Sequence, residues 1–216
     1  MQCDWSRPLP IYRGPDFGQA VPSEVPFAHA APQRRTLSAA SCDGSRGCLC
    51  SEITIIPHVH GTHVESRAHV DNGVVPFPVG LNALLLAKVV SQPGDNLTEL
   101  DGSVQLLILR KEQPQVRGFA GFGLDVLQAI RRTYPRVFIL GTNEASFDPE
   151  QDAGRLAFHR AWFSTGTEFL VELLELGQVQ PAYYYCSMNA VLWAGTDAIP
   201  ASPILYPMTV AQTRSQ

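Results

Sequence analysis

His58-Val59-His60-Gly61-Thr62-His63-Val64-Glu65-Ser66-Arg67-Ala68-His69 carries four of the chain's six histidines, with a glutamate among them. Imidazole and carboxylate side by side are the donor set of a zinc or manganese ion. In an extended strand, residues two apart share a face. His63, Glu65 and His69 are therefore expected to line one wall, and His58 and His60 another. Gly61 permits a bulge or a close backbone approach that brings the two sets together. A histidine cluster in a solvated loop is the simpler alternative. The setting, between Ile53-Thr54-Ile55-Ile56 and the apolar run from Val74, favours a metal site.

Outward from this stretch, strand and helix signals alternate. Ile53–Val59 reads as a strand, and Ala83–Val90 is an apolar run that ends β-branched. Val104–Leu109 and Val137–Leu140 are short continuous apolar runs, the pattern of buried strands. Leu124, Leu127 and Ile130 have helical spacing, which predicts a helix over Leu124–Thr133 ended by Pro135. Arg155–Phe163 is expected to be a second helix. The acids of Asp148-Pro149-Glu150-Gln151-Asp152 precede it, where they favour its N-terminal dipole. Glu144 and Asp148 could instead contact the site, but the capping reading is preferred. Phe169–Leu174 and Tyr183–Trp193 read as late strands. The alternation predicts an α/β domain.

At 216 residues the chain is long enough for one domain, or one domain with an arm. Residues 1–50 are rich in Pro, Ala, Ser and Gly and are expected to form an extended arm on the core or on a partner subunit. Residues 51–216 would be the main domain. The net charge is −4 without a basic patch, so nucleic acid is not an expected partner. No run of eighteen apolar residues is present, so a membrane-spanning segment is not expected. The N-terminus lacks the charged and apolar regions of a signal peptide, and a cytoplasmic location is expected. Five cysteines are an odd count, and free thiols fit that compartment. Neither Gly-x-Ser-x-Gly nor a phosphate loop occurs, which argues against a serine hydrolase and against nucleotide-dependent chemistry.

Pro57-His58-Val59-His60-Gly61-Thr62-His63-Val64-Glu65 resembles one branch of the cyclase family that includes bacterial kynurenine formamidase and isatin hydrolase. Ser146-Phe147-Asp148, His159-Arg160-Ala161-Trp162-Phe163, Val171-Glu172-Leu173-Leu174-Glu175-Leu176 and Pro203-Ile204-Leu205-Tyr206-Pro207 resemble later blocks of that family in the same order. The resemblance covers roughly residues 45 to 207. It implies a single domain of the swivelling β/β/α type with a mixed sheet. It also implies a metal site built from His63, Glu65, His159 and Glu172, and a proton-transfer role for His69.

Three departures bear on the site. Val59 stands where the family's first ligand usually is, which leaves that role to His58 or His60; the Pro57-His58 pattern favours His58. The spacing after His159 makes Glu168 a rival to Glu172. Arg67 replaces a common proline and could bind a substrate carboxylate through its planar fork. Phe77 and Trp162 are candidates to hold an aromatic substrate, although such aromatics are more often core.

The resemblance implies a zinc- or manganese-dependent hydrolase of a small, aromatic amide, lactam or formamide, assembled as a homodimer or homotetramer. A metal-dependent cyclase or dehydratase is the near alternative. A degenerate ligand-binding member is the alternative from another class.

Overall fold

Leu106–Leu109 and Ile139–Thr142 are buried at every position, as expected of strands covered on both faces. The computed structural model describes residues 2–14, 33–38, 49–71, 73, 76–95, 97–115 and 117–209. In chain order its strands are β1 (Gln2–Cys3), β2 (Leu9–Pro10), β3 (Gln33–Ser38), β4 (Leu49–Thr54), β5 (His63–Glu65), β6 (Leu84–Val90), β7 (Leu106–Leu109), β8 (Ile139–Thr142), β9 (Phe169–Glu172), β10 (Ala182–Ser187), β11 (Ala198–Pro200) and β12 (Ile204–Thr209). The α-helices are α1 (Pro57–His60), α2 (Ala68–Asp71), α3 (Leu124–Thr133) and α4 (Ala157–Trp162).

One mixed sheet runs in the order β1-β12-β10-β6-β7-β8-β9-β5-β11, with β2 also paired to β12. Its centre, β6 to β9, is parallel, and the flanking pairs are antiparallel. Alternation along β7 sends Leu106 and Ile108 into one apolar core and Leu107 and Leu109 into another. The second core packs α3 and α4 on the sheet through Leu127, Ile130, Phe158 and Trp162. This is the expected α/β domain with a mixed sheet.

The helix α3 has the predicted bounds, and Pro135 follows its C-cap Tyr134. The strand expected over Ile53–Val59 is not continuous. It ends at Thr54, and Pro57 opens the single turn α1. Proline suits a first helical position because its missing N–H has no partner there in any case. The strand expected over Tyr183–Trp193 stops at Ser187, and Asn189 adopts the left-handed conformation.

The N-terminal residues join the sheet. Strands β1 and β2 pair with β12, and Ile11 is fully buried. The expected boundary at residue 50 falls within β4, which pairs with β3 as a separate hairpin. Residues 15–32 and 39–48 of the expected arm lie outside the described residues. Among the described residues, no helix is long and apolar enough to cross a membrane.

Candidate metal centre

The site is assembled at β5, between β9 and β11. Register sets His63 opposite Glu172 and Glu65 opposite Ala198. His63 and Glu65, two apart on β5, project to one face, and Glu172 joins them from the neighbouring strand. The short helix α4 brings His159, and α2 brings His69. The turn α1 separates the two earlier histidines. Residues two apart on a helix point roughly 200° apart, so His58 and His60 cannot share a wall. His58 faces the cluster, while His60 accepts a hydrogen bond from the Ile56 N–H at 2.8 Å.

Gly61 and Thr62 have a local purpose. The Thr62 N–H donates to the Arg13 carbonyl at 2.9 Å, and its hydroxyl accepts from the Arg13 N–H and donates to the Leu173 carbonyl. These bonds tie β5 to the N-terminal segment and to the end of β9. A Cβ at Gly61 would collide with the Arg13 carbonyl oxygen, and φ is +154° there. Gly61→Ala should therefore cost about 1–3 kcal/mol of stability by overpacking. Thermal denaturation checks this, and an unchanged melting temperature would contradict it.

The histidine tautomers are set by their outer partners. His63 Nδ1 lies 3.1 Å from the Gly61 carbonyl, so it carries the proton and Nε2 presents a lone pair. His159 Nδ1 lies 2.5 Å from Asp148 Oδ2, which leaves Nε2 facing Glu65 and Glu172 at 2.6 and 3.5 Å. Asp148 also accepts the backbone N–H groups of Phe158 and His159, so it caps α4 and fixes the ring together. A carboxylate on the far nitrogen is the usual support of a metal-binding histidine.

Asp197, just before β11, contacts His58 Nε2 at 2.8 Å and His69 Nδ1 at 3.2 Å. Glu65 lies at the centre, with Oε2 at 3.3 Å from His58 Nδ1 and 3.9 Å from His69 Nε2. Three overlapping donor groups result: His58, His63 and Glu65; Glu65, His69 and His159; and His58, His69 and Asp197. Within each, the candidate ligand atoms all lie within 4.8 Å of one another.

Metal fit is tested by three buried atoms. His63 Nε2 and both Glu65 oxygens are shielded from solvent without a properly directed hydrogen bond. Glu65 Oε1 and His159 Nε2 are close but lack that direction. Such atoms are costly unless a cation gathers them. The donor set fits a divalent metal ion, with His58, His63 and Glu65, or Glu65, His69 and His159, placed to hold it; Glu172 belongs to none of the groups but lies 3.6 Å from His63 Nε2 and 3.5 Å from His159 Nε2 and accepts the Phe147 N–H.

Without a cation, protons hold the acids and imidazoles together. Burial pulls the His58 pKa down, but the Asp197 hydrogen bond and the Glu65 carboxylate outweigh it and raise the value to about 10. Burial likewise opposes charge on His159, and the Glu65 carboxylate with Asp148 raises its pKa well above the usual histidine range. Burial and the neighbouring His58 charge lower His63. Burial acts to raise the Glu65 pKa, but His159 holds it well below its usual range. A metal ion must displace the His58 and His159 protons wherever those imidazoles become ligands. Affinity should therefore rise with pH, with on the order of two protons released per ion bound. Calorimetry in buffers of different ionisation enthalpy counts them. Release of none at neutral pH would exclude both histidines as ligands.

A cavity of about 610 Å³ opens onto His58, His69, His159, Glu172 and Asp197. Ile55, Ile56, Val59, Phe119, Pro149 and Leu156 form apolar parts of its wall. Val59, at the position where the resemblance led one to expect a ligand, is part of that wall.

Three expected substrate contacts lie elsewhere. Trp162 is fully buried, donates to the Phe169 carbonyl and carries Arg131 over its ring. Phe77 packs on Phe169 in the core. Arg67 pairs with Asp71 and lines a separate surface hollow with Thr165 and Gly166. Glu168 binds Arg131, away from the cluster. Glu144 accepts from the Gln115 N–H and belongs to none of the donor groups.

Comparison with solved structures finds the same architecture in metal-dependent hydrolases. A predicted metal-dependent hydrolase from Bacillus stearothermophilus aligns with a TM-score of 0.67 at 18% identity, over 93% of this chain and 98% of that one. The chain shares the fold of these hydrolases. A potential metal-dependent hydrolase with cyclase activity gives 0.68 at 18% identity, over 94% and 99%. Isatin hydrolase A from Labrenzia aggregata, bound to benzyl benzoate, gives 0.59 at 13% identity, over 93% of each chain. No family model matches the sequence, and no curated protein does. The fold neighbours agree with the family resemblance that rests on Pro57–Glu65.

Proposed function

We propose that the protein is a metal-dependent hydrolase of a small non-peptide amide, lactam or formamide. The observation that carries this reading is a buried histidine and carboxylate cluster adjoining an apolar cavity, in which His63 Nε2 and the two Glu65 oxygens lack directed hydrogen bonds. A divalent ion held there would acidify water and polarise a carbonyl. His69 stands at the cavity wall with Nδ1 on Asp197, so Nε2 is the nitrogen free to exchange a proton. It takes a proton as the water oxygen bonds to the carbonyl carbon. It returns that proton to the leaving nitrogen as the C–N bond breaks. The apolar wall, with Phe119 as its aromatic member, suits a ring-bearing substrate.

The test uses metal-loaded protein with N-formyl aromatic amines, aryl lactams and small cyclic amides in water labelled with heavy oxygen. Hydrolysis places the label in formate or in a new carboxylate. Chelation should abolish turnover, and Zn²⁺ or Mn²⁺ should restore it. Turnover without label would favour a cyclase or dehydratase, a second reading supported by the neighbour described as having cyclase activity. Tight ligand binding without turnover would favour a degenerate binding protein.

A homodimer or homotetramer is part of the same proposal. Light scattering at micromolar concentration should show a single species larger than the monomer, and a stable monomer would refute it.

A further inference from the structure

The charge around the cavity restricts what can enter it. Asp148, Glu150, Asp152, Glu172 and Asp197 line it, and Glu65 lies directly behind His58. No lysine or arginine lines it among the described residues. Other cations among the described residues have partners away from the cavity lining. Arg13 pairs with Glu175, Arg67 with Asp71, and Lys111 covers the Phe122 ring. Arg117 and Arg155 neighbour the rim in sequence but do not line it.

Glu150 accepts the Gly118 N–H, and Asp152 accepts the Leu156 N–H. One divalent ion, or even two, would leave the six carboxylates in excess. A substrate carboxylate would enter this field without a partner, at the mouth of a low-dielectric pocket where like charges repel.

We propose that this cavity selects neutral or cationic ring-bearing amides and rejects those that carry a carboxylate. The inference rests on the hydrolase reading for the reaction, but not for the charge selection. It disfavours an N-formyl amine whose carboxylate has no ammonium beside it. It favours a lactam or formamide with an uncharged or amine-bearing ring. The rejecting element is as much a part of specificity as the apolar wall is.

The test compares benzohydroxamate with its para-carboxylate and para-aminomethyl analogues, bound to metal-loaded protein and measured by calorimetry. At low salt the carboxylate should bind about tenfold or more weakly than the parent, and the ammonium at least as well. Raising the salt should narrow both differences, because mobile ions screen the rim. Glu150→Gln with Asp152→Asn keeps oxygen acceptors for the Gly118 and Leu156 amides. That double variant should recover several-fold of the carboxylate's affinity relative to the parent's. Equal binding of all three probes, binding of none, or no recovery in the double variant would overturn the proposal. The charge order without hydrolysis of any amide would defeat only the hydrolase reading. Hydrolysis without the charge order would defeat only this inference.

Discussion

His63→Ala and Glu65→Gln should each leave the purified protein with little bound metal, and kcat/KM should fall roughly 10³-fold or more. His63 has one usable lone pair, at Nε2, because Nδ1 is held by the Gly61 carbonyl. Glu65 is the common member of two donor groups and is fully buried. Its loss also removes the anion that faces His58, His69 and His159. Breaking a buried ion pair by removing one partner commonly costs about 3–5 kcal/mol, so Glu65→Gln should also lower the melting temperature of the metal-free protein. His63→Ala removes a neutral ring and should lower it less. Metal analysis by mass spectrometry, with denaturation of the chelated protein, separates the two effects. Full metal content in both variants would refute the site. His60→Ala is the control and should retain metal, because His60 is bonded to the Ile56 N–H instead.

Local pattern made much of this architecture readable. The apolar runs at Leu106–Leu109 and Ile139–Leu140 are buried parallel strands, and helical spacing with Pro135 set both ends of α3. His63 and Glu65 share a face because they are two apart on a real strand. The same alternation misled at His58 and His60, because Pro57 turns the chain into α1 before either is reached. Asp148 was read as a cap for the following helix, and it does cap it. A single carboxylate has room for the His159 ring as well, which spacing alone does not reveal.

Asp197 lay beyond local reading. It comes from a loop far along the chain, without a motif around it, and reaches the site only because β11 pairs with β5. The one available signal was a lone acid immediately before the short apolar strand Ala198–Pro200. The aromatic candidates failed for the opposite reason. Trp162 and Phe77 have the chemistry of a substrate wall, but burial assigns them to the cores, while Phe119 lines the cavity.

His69→Ala should retain bound metal and lose 10²–10⁴-fold in kcat, the range expected when a positioned acid–base group is removed. KM should change little, since the lost interaction belongs to the transition state. Geometry supports a role distinct from that of His63 and His159. His69 is partly exposed at the cavity wall, whereas those two rings are buried. Its Nδ1 contacts Asp197, which orients the ring and directs Nε2 inward. Asp197→Asn keeps an oxygen acceptor but loses the charge, so it should cost less, about 10–100-fold, as outer partners of site histidines usually do. The alternative is specific, because His69 also belongs to two donor groups. If it is a ligand, His69→Ala will lose metal and activity together, and added Zn²⁺ or Mn²⁺ will partly restore both. If it shuttles protons, added metal will change nothing. Exogenous imidazole, small enough for a cavity of about 610 Å³, should then recover part of the rate.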